Sequence, residues 1–420
     1  MMGVAMILAA ATGKAESISV DSSKVYDIDE VIVVSQPKEA FRLRQQPLSS
    51  TSFGNFEMNR LGARDLRELS SYIPNFVMPN YGSRLSSAVY VRGIGSRVNS
   101  PAIGVYVDGI PVMSKSAFNL HTYQLSRVDV LRGPQGTLYG QNTEGGLVRL
   151  YSRNAFDYQG TDVRIGYGSR RYSNLEASHY QRLGEDVALM VGGFYNAQTG
   201  FFRNTTTGER ADDYQEAGGK LMLTGRLHSG WKVNVTADYQ YVDQSAFPYG
   251  SLDLNTGKAE QPASTFPGSY RRNNLITGLT LSYDANTFSL ASTTSYQYLK
   301  DHMYMDQDYL EADYMRMMQD QLQNAMTQEF SLKSRKPVGG VWHWAAGAFF
   351  SAQWLKTNGP VFFESAMTTP IGNAIQQQMY GAMLQSMAQR MMRPGMTQEQ
   401  ALALAAQTIE RAGGVSMDVE

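Results

Sequence analysis

Cysteine is absent from all 420 residues, which excludes disulfides, thiol nucleophiles and any metal site built on thiolates. Histidine is scarce: the five present (His121, His179, His228, His302 and His343) include no His-x-x-x-His pair of the kind that grips a metal from one helix face. Past the N-terminal stretch no run of 18 apolar residues occurs, so no membrane-crossing helix is encoded there. Neither charge dominates, since 37 Lys and Arg face 38 Asp and Glu, and nothing marks a nucleic-acid binder or an acidic disordered chain. The glycines, though many, build no nucleotide loop. Gly133 to Gly140 lacks a following Lys-Ser/Thr pair, and Arg92-Gly-Ile-Gly-Ser lacks the third glycine of a dinucleotide fingerprint. No Ser-His-Asp set, metal cluster or paired carboxylate emerges, so the chain reads as a non-enzyme that needs no metal or cofactor.

What the sequence has in quantity is aromatic residues and short β-forming runs, with 25 Tyr and 17 Phe. Between Ala88 and Asn154 four such runs are punctuated by glycine: Ala88-Val-Tyr-Val-Arg-Gly-Ile-Gly, Gly104-Val-Tyr-Val-Asp-Gly-Ile-Pro, Val128-Asp-Val-Leu-Arg-Gly-Pro-Gln-Gly and Gly145-Gly-Leu-Val-Arg-Leu. Each turn carries Gly, Pro, Asn or Asp, the residues that allow a positive or fixed φ, so a small, tightly turned β core is expected. Ahead of it, Leu61, Leu66, Leu69 and Ile73 are spaced for one face of a helix over Met58–Ile73, which Pro74 stops.

Beyond Asp157 the texture changes. Trp231, Val233, Val235, Ala237, Tyr239 and Tyr241 alternate with Lys232, Asn234, Thr236, Asp238 and Gln240, giving one apolar face with aromatics at both ends and one polar face. At about 11 residues, such a strand crosses a bilayer at a tilt. The pattern recurs over Asp162–Tyr167, Tyr172–Arg182, Val187–Phe201, Tyr214–His228, Asn274–Tyr283, Thr287–Leu299, Thr327–Arg335 and Trp342–Leu355. Short connections alternate with long polar ones (203–213, 243–272, 300–325), as in transmembrane barrels and unlike a β-sandwich. The fold class is therefore mainly β, a small α/β domain followed by an antiparallel barrel sheet of about nine strands. An odd, open sheet cannot close in lipid, so a partial barrel from a longer product is expected. The remainder, 357–420, reads as a helical loop: Ile375, Met379, Met383, Met387 and Met391 stripe a helix over Gly372–Arg393, and Thr397 with Gln400 forms a capping box for a second, with Gly413 at its end.

The motifs Arg92-Gly-Ile-Gly, Tyr106-Val-Asp-Gly-Ile-Pro, Leu131-Arg-Gly-Pro-Gln-Gly, Leu138-Tyr-Gly and Gly145-Gly resemble the plug domain of TonB-dependent outer-membrane receptors. That resemblance implies a barrel of about twenty-two strands around a plug, placement in the bacterial outer membrane among its lipids, and energised import of a scarce ligand. It divides the chain into a signal peptide (1–15), a flexible leader (16–40), the plug (41–156) and the start of the barrel (157–420). Within the leader, Asp29, Glu30, Val31, Ile32, Val33 and Val34 resemble the Ton box, the segment that pairs by strand addition with TonB of the inner-membrane energising complex. By motif position Arg92 and Arg132 are expected to latch the plug to glutamates of the barrel wall. Glu329 faces the lumen by parity with Phe330 and Leu332 and is the first choice of partner, with Glu216 a weaker one. Tyr81, Arg84, Arg97 and Asn99 are the plug-apex residues expected to meet cargo, since arginine suits anionic chelates and tyrosine supplies flat contact area. A ferric siderophore is the expected cargo. Cobalamin, haem or a glycan carried by the same machine, and a passive porin or an adhesin, are the alternatives.

Overall fold

The computed structural model describes residues 48–97 and 100–411. The Ton-box residues Asp29 to Val34, together with Asn99 and Gly413, lie outside the described residues.

The first domain opens with β1 (Ser49–Gly54), α1 (Asn55–Leu61) and α2 (Leu66–Ser70). The single helix expected over Met58–Ile73 is thus two. Gly62 takes a left-handed φ of 68° that ends α1, and Asp65 then starts α2 by accepting the amide of Glu68 at 2.8 Å. The apolar spacing was real even so: Leu66, Leu69 and Ile73 are buried. Three short strands, β2 (Phe76–Val77), β3 (Tyr90–Val91) and β4 (Ile94–Gly95), pair in order. The central sheet comprises β1, β5 (Ile103–Val107), β6 (Ile110–Pro111), β7 (Leu125–Arg132) and, beyond the short α3 (Gly136–Tyr139), β8 (Gly146–Ser152). Its order is β1-β7-β8-β5-β6, with β5 and β8 parallel. Both of its faces are covered, which is why these strands read as continuous apolar runs.

The second domain is one antiparallel sheet of long strands in sequence order: β9 (Gly160–Gly168), β10 (Tyr172–Arg182), β11 (Val187–Gln198), β12 (Tyr214–Arg226), β13 (Trp231–Ser245), β16 (Ser269–Asp284), β17 (Phe288–Asp306), β18 (Met315–Ser334) and β19 (Ala345–Asn358). A small hairpin, β14 (Leu252–Asp253) with β15 (Lys258–Ala259), sits in the β13–β16 loop, and β20 (Val361–Phe363) adds to the outer end of β18. The nine expected strands are present, but several run far past the expected ends. Most of 300–325, read as a loop because it is polar, is a tall hairpin of β17 and β18 joined by 307–314. Alternation decides the faces: on β13, Thr236 and Gln240 are buried while Val235 and Tyr239 stand exposed. The sheet curls around the first domain, whose core, built on residues such as Leu66, Val105 and Val148, continues without a break into Ile276 and Leu299 of the wall. Gly278 marks the closest approach: a Cβ there would lie 2.1 Å from Cδ1 of Ile110. After β20 come α4 (Ser365–Met391) and α5 (Gln398–Arg411), packed through Ala388, Ala401 and Ala405. The Thr397–Gln400 capping box forms, with reciprocal bonds of 3.3 and 3.1 Å.

Candidate functional site: the plug, its anchors and its outer face

Among the polar contacts that tie the plug to the wall, three anchors stand out beside the buried donation of Arg272 on β16 to the carbonyl of Ser116. Arg84, on the segment between β2 and β3, forks onto Glu216 of β12, donating Nη2 to Oε2 at 2.6 Å and Nε to Oε1. The same guanidinium donates to the carbonyl of Asn119 at 3.1 Å and lies 3.5 Å from Asp65, while His121 stands 2.9 Å from Glu216. All of these groups are buried or nearly so, with the Arg84 and Glu216 side chains 10% and 3% exposed. Burial alone would raise the Asp65 carboxyl, but the Arg84 and Arg67 guanidiniums outweigh it and hold this acid below its ordinary value. The second anchor is Lys220 of β12, which donates to Asp108 at 2.7 Å and to the Ser152 hydroxyl at 2.5 Å. Asp108 sits at the β5–β6 turn with φ 52°, so the Tyr106-Val-Asp-Gly turn presents a carboxylate to the wall. The third is Gln297 of β17, whose amide donates to the carbonyl of Pro111 at 2.6 Å and accepts from the amide of Met113 at 3.0 Å.

Two expectations require correction here. Arg84 is not a cargo contact at the apex: it is buried in the first anchor, and Glu216, the weaker of the two proposed wall acids, is its partner. Arg132 and Arg92 do not meet Glu329. Arg132 reaches the carbonyls of Pro74 at 2.9 Å and Ser50 at 3.4 Å inside the plug, and Arg92 is exposed at the β3–β4 turn with φ 51°. Glu329 does face inward as parity predicts, and its charge acts on Tyr106 of the plug, whose phenol is pushed up first by burial and then by Glu329. Asp108, Lys220, His121 and Gln297 were missed. Inward parity on strands rich in lipid-facing residues was the available signal for Lys220 and Gln297, and none pointed to His121.

On the side of the long loops the plug ends in an aromatic apex. The Tyr81 and Tyr90 hydroxyls are 3.0 Å apart, and Arg97 lies over the Tyr81 ring at 4.5 Å. The β13–β16 loop closes over it: Tyr249 donates to the carbonyl of Tyr81 at 2.6 Å, and its ring meets Tyr309 of the β17–β18 loop edge-on at 4.9 Å. Burial pushes the Tyr309 phenol up to about 12, so it stays a neutral hydrogen-bond donor at physiological pH. Beside the apex a cavity of about 400 Å³ opens between plug and wall, lined by Arg64, Arg67, Tyr172 and Phe202 among others. Arg64 stacks over the Tyr172 ring at 4.5 Å. Cationic and aromatic groups there stand beside carboxylates, since Asp65, Glu68, Asp212 and Glu216 line the same cavity. The carboxylates of Asp306 and Asp308 nearby accept backbone amides, Asp306 from Thr265 of the β15–β16 connection at 2.9 Å and Asp308 from Tyr314 of its own loop at 3.0 Å.

A sheet apolar outside and polar inside, wrapped on a compact domain, defines a plugged outer-membrane barrel. Residues 42–147 match the TonB-dependent Receptor Plug Domain. The first domain is thus a plug domain of the kind that TonB-dependent receptors carry. The chain is 31% identical over 128 residues to the pesticin receptor of Yersinia pestis, covering 30% of this chain and 19% of the relative. Its counterpart from Yersinia enterocolitica is 33% identical over 108 residues, 25% and 16% of the two chains. Among solved structures, the ferric yersiniabactin uptake receptor FyuA from Yersinia pestis superposes with a TM-score of 0.67 at 19% identity over 76% of this chain and 50% of that one. The siderophore receptor PiuA from Acinetobacter baumannii gives 0.63 at 16% identity over 77% and 48%. The chain therefore spans about half the length of these solved structures, and the aligned part is under a fifth of the curated relatives.

Proposed function

We infer that this chain serves an importer that captures a ferric siderophore at the outer face and admits it when TonB pulls on residues 29–34. The observation that carries this reading is the apex: Tyr81, Tyr90 and Arg97 roofed by Tyr249 and Tyr309, a cationic and aromatic surface beneath the loops. Catecholate iron chelates are anionic and present planar aromatic rings around an octahedral iron, and solved relatives named for ferric yersiniabactin and ferric catecholate share the fold. The plug fills the lumen side of the sheet, which suits gated transport and not a passive porin. Haem is disfavoured because His121 is turned onto Glu216 and His302 onto Asp320 at 2.8 Å. In this reading the Arg84–Glu216 fork is the latch that holds the plug until force arrives.

Titration of the purified receptor with ferric siderophores of catecholate and phenolate type, haem and cobalamin tests the cargo class. Submicromolar binding of one iron chelate, weakened about tenfold in Arg97→Ala or Tyr249→Ala through loss of a cation–π or hydrogen-bonded contact worth about 1–2 kcal/mol, is expected. Tight binding of haem or cobalamin, with no iron chelate retained, would overturn it.

A further inference from the structure

Under the β6–β7 connection of the plug, the inner wall holds an arginine and an aspartate at directly opposed positions that nevertheless bond to other groups. Arg272 of β16 and Asp301 of β17 are register partners in the antiparallel ladder, which brings their Cβ atoms to about 5 Å. Both side chains point inward and are buried, at 1% and 2% exposure. Opposite charges so placed ordinarily close on one another. Here the guanidinium reaches away, donating Nη1 to the carbonyl of Ser116 in the plug and Nη2 to Oε1 of Gln240 on β13 at 3.4 Å. Asp301 accepts the Tyr270 hydroxyl on Oδ2 at 3.0 Å. That leaves Nε of Arg272 and Oδ1 of Asp301 buried without a hydrogen-bond partner. The cluster lies inside the sheet, with β18 and β19 on one side and β9 to β12 on the other, so these unmet bonds do not come from an open edge.

The plug is what holds the pair apart. Ser116 sits in the short 3₁₀ turn Lys115–Ala117 and is itself buried, and the same stretch is tied to β17 where Gln297 accepts the amide of Met113. A buried donor and a buried acceptor without partners raise the free energy of the docked state. Once Ser116 withdraws, the guanidinium loses its carbonyl, and Oδ1 of Asp301 stands across the ladder with its lone pairs unused. Rotation about the arginine side-chain bonds brings Nε and one Nη onto that carboxylate, the two-pronged geometry that arginine favours.

We propose that Arg272 is a two-position switch, bonded to the Ser116 carbonyl while the plug is docked and to Asp301 of the wall once it is released. The wall then replaces the contact that release removes, so Asp301 eases release, opposite in sign to the Arg84–Glu216 fork. The inference rests on the reading that the plug leaves the wall, and is independent of the cargo. The test places a cysteine at buried Ala117, beside the contact, and follows its labelling by a polar maleimide in outer-membrane fractions, read by mass spectrometry of that peptide. Where the rate is proportional to reagent, it reports how often the segment opens. Asp301→Asn keeps an acceptor for Tyr270 and removes the charge; it should slow labelling about threefold, the scale of a solvated ion pair. In an Arg272→Gln background the same change should leave the rate unaltered. Faster or unchanged labelling in Asp301→Asn alone would overturn the switch. So would equal slowing in both backgrounds, which would reduce Asp301 to a carboxylate that is costly to bury. A cysteine that labels in no variant would remove plug release itself, and the proposal with it. Unchanged heat-modifiable migration shows that the barrel is intact in every arm.

Discussion

Arg84 and Glu216 are the residues on which plug and wall depend most closely. Removing one partner of a buried, bidentate pair leaves the other charge without compensation, so Glu216→Ala is expected to destabilise plug docking by about 3–5 kcal/mol. Because the chain has no native cysteine, a single one introduced at buried Ser87 reports it: labelling by a polar maleimide should be slow in the parent and fast with Glu216→Ala. Equal labelling would remove the pair from the docking account. Asp65 adds a pH dependence. Its folded value lies below the ordinary 3.8, so its stabilising contribution is complete above that pH and is lost as pH falls through the folded value. Docking followed by intrinsic fluorescence in urea titrations should therefore weaken below about pH 4, and Asp65→Asn should remove that part of the acid sensitivity. Sequence parity had already placed Glu216 on the lumen face. It could not choose the partner, because Arg84 sits on an irregular segment where no period says which way a side chain points.

Among the elements, the plug strands and barrel strands were legible for opposite reasons, continuous apolar runs in the one and strict alternation in the other. The β17–β18 hairpin was misjudged because, above the membrane, neither face needs to be apolar and the period-two signal fades while backbone pairing continues. The α1–α2 break was missed because Gly62 and Asp65 interrupt the backbone without disturbing the apolar spacing. Gly62→Val, forcing a β-branched residue into a positive φ, is expected to cost at least about 1 kcal/mol, read as a lower urea midpoint for plug unfolding. Where plug meets wall the test is sharper. Gly278→Ala places a methyl against Ile110 and should cost about 1–3 kcal/mol, and Ile110→Val in the same protein should recover part of it. Independent, additive effects would mean that the two surfaces do not touch as described.

For the whole molecule, the plug motifs identified the class while the barrel supplied only generic support, since alternation alone recurs in any transmembrane sheet. Cargo was the least legible feature. On the proposed reading it depends on loops that meet only in the fold, Tyr249 and Tyr309 being 60 positions apart, and on the apex they cover. On the proposed reading, transport requires that the docked plug respond to force from the leader. A proline removes one backbone donor from an added strand and should break that coupling without touching the plug core. The decisive measurement is energy-dependent uptake of a labelled ferric siderophore by cells carrying the receptor, comparing the parent with Val31→Pro and Val33→Pro. The account predicts that both variants bind the chelate at the surface like the parent but import none of it, as the parent does when the proton gradient is collapsed. Uptake by the proline variants at the parental rate, or parental uptake that persists without the gradient, would contradict it.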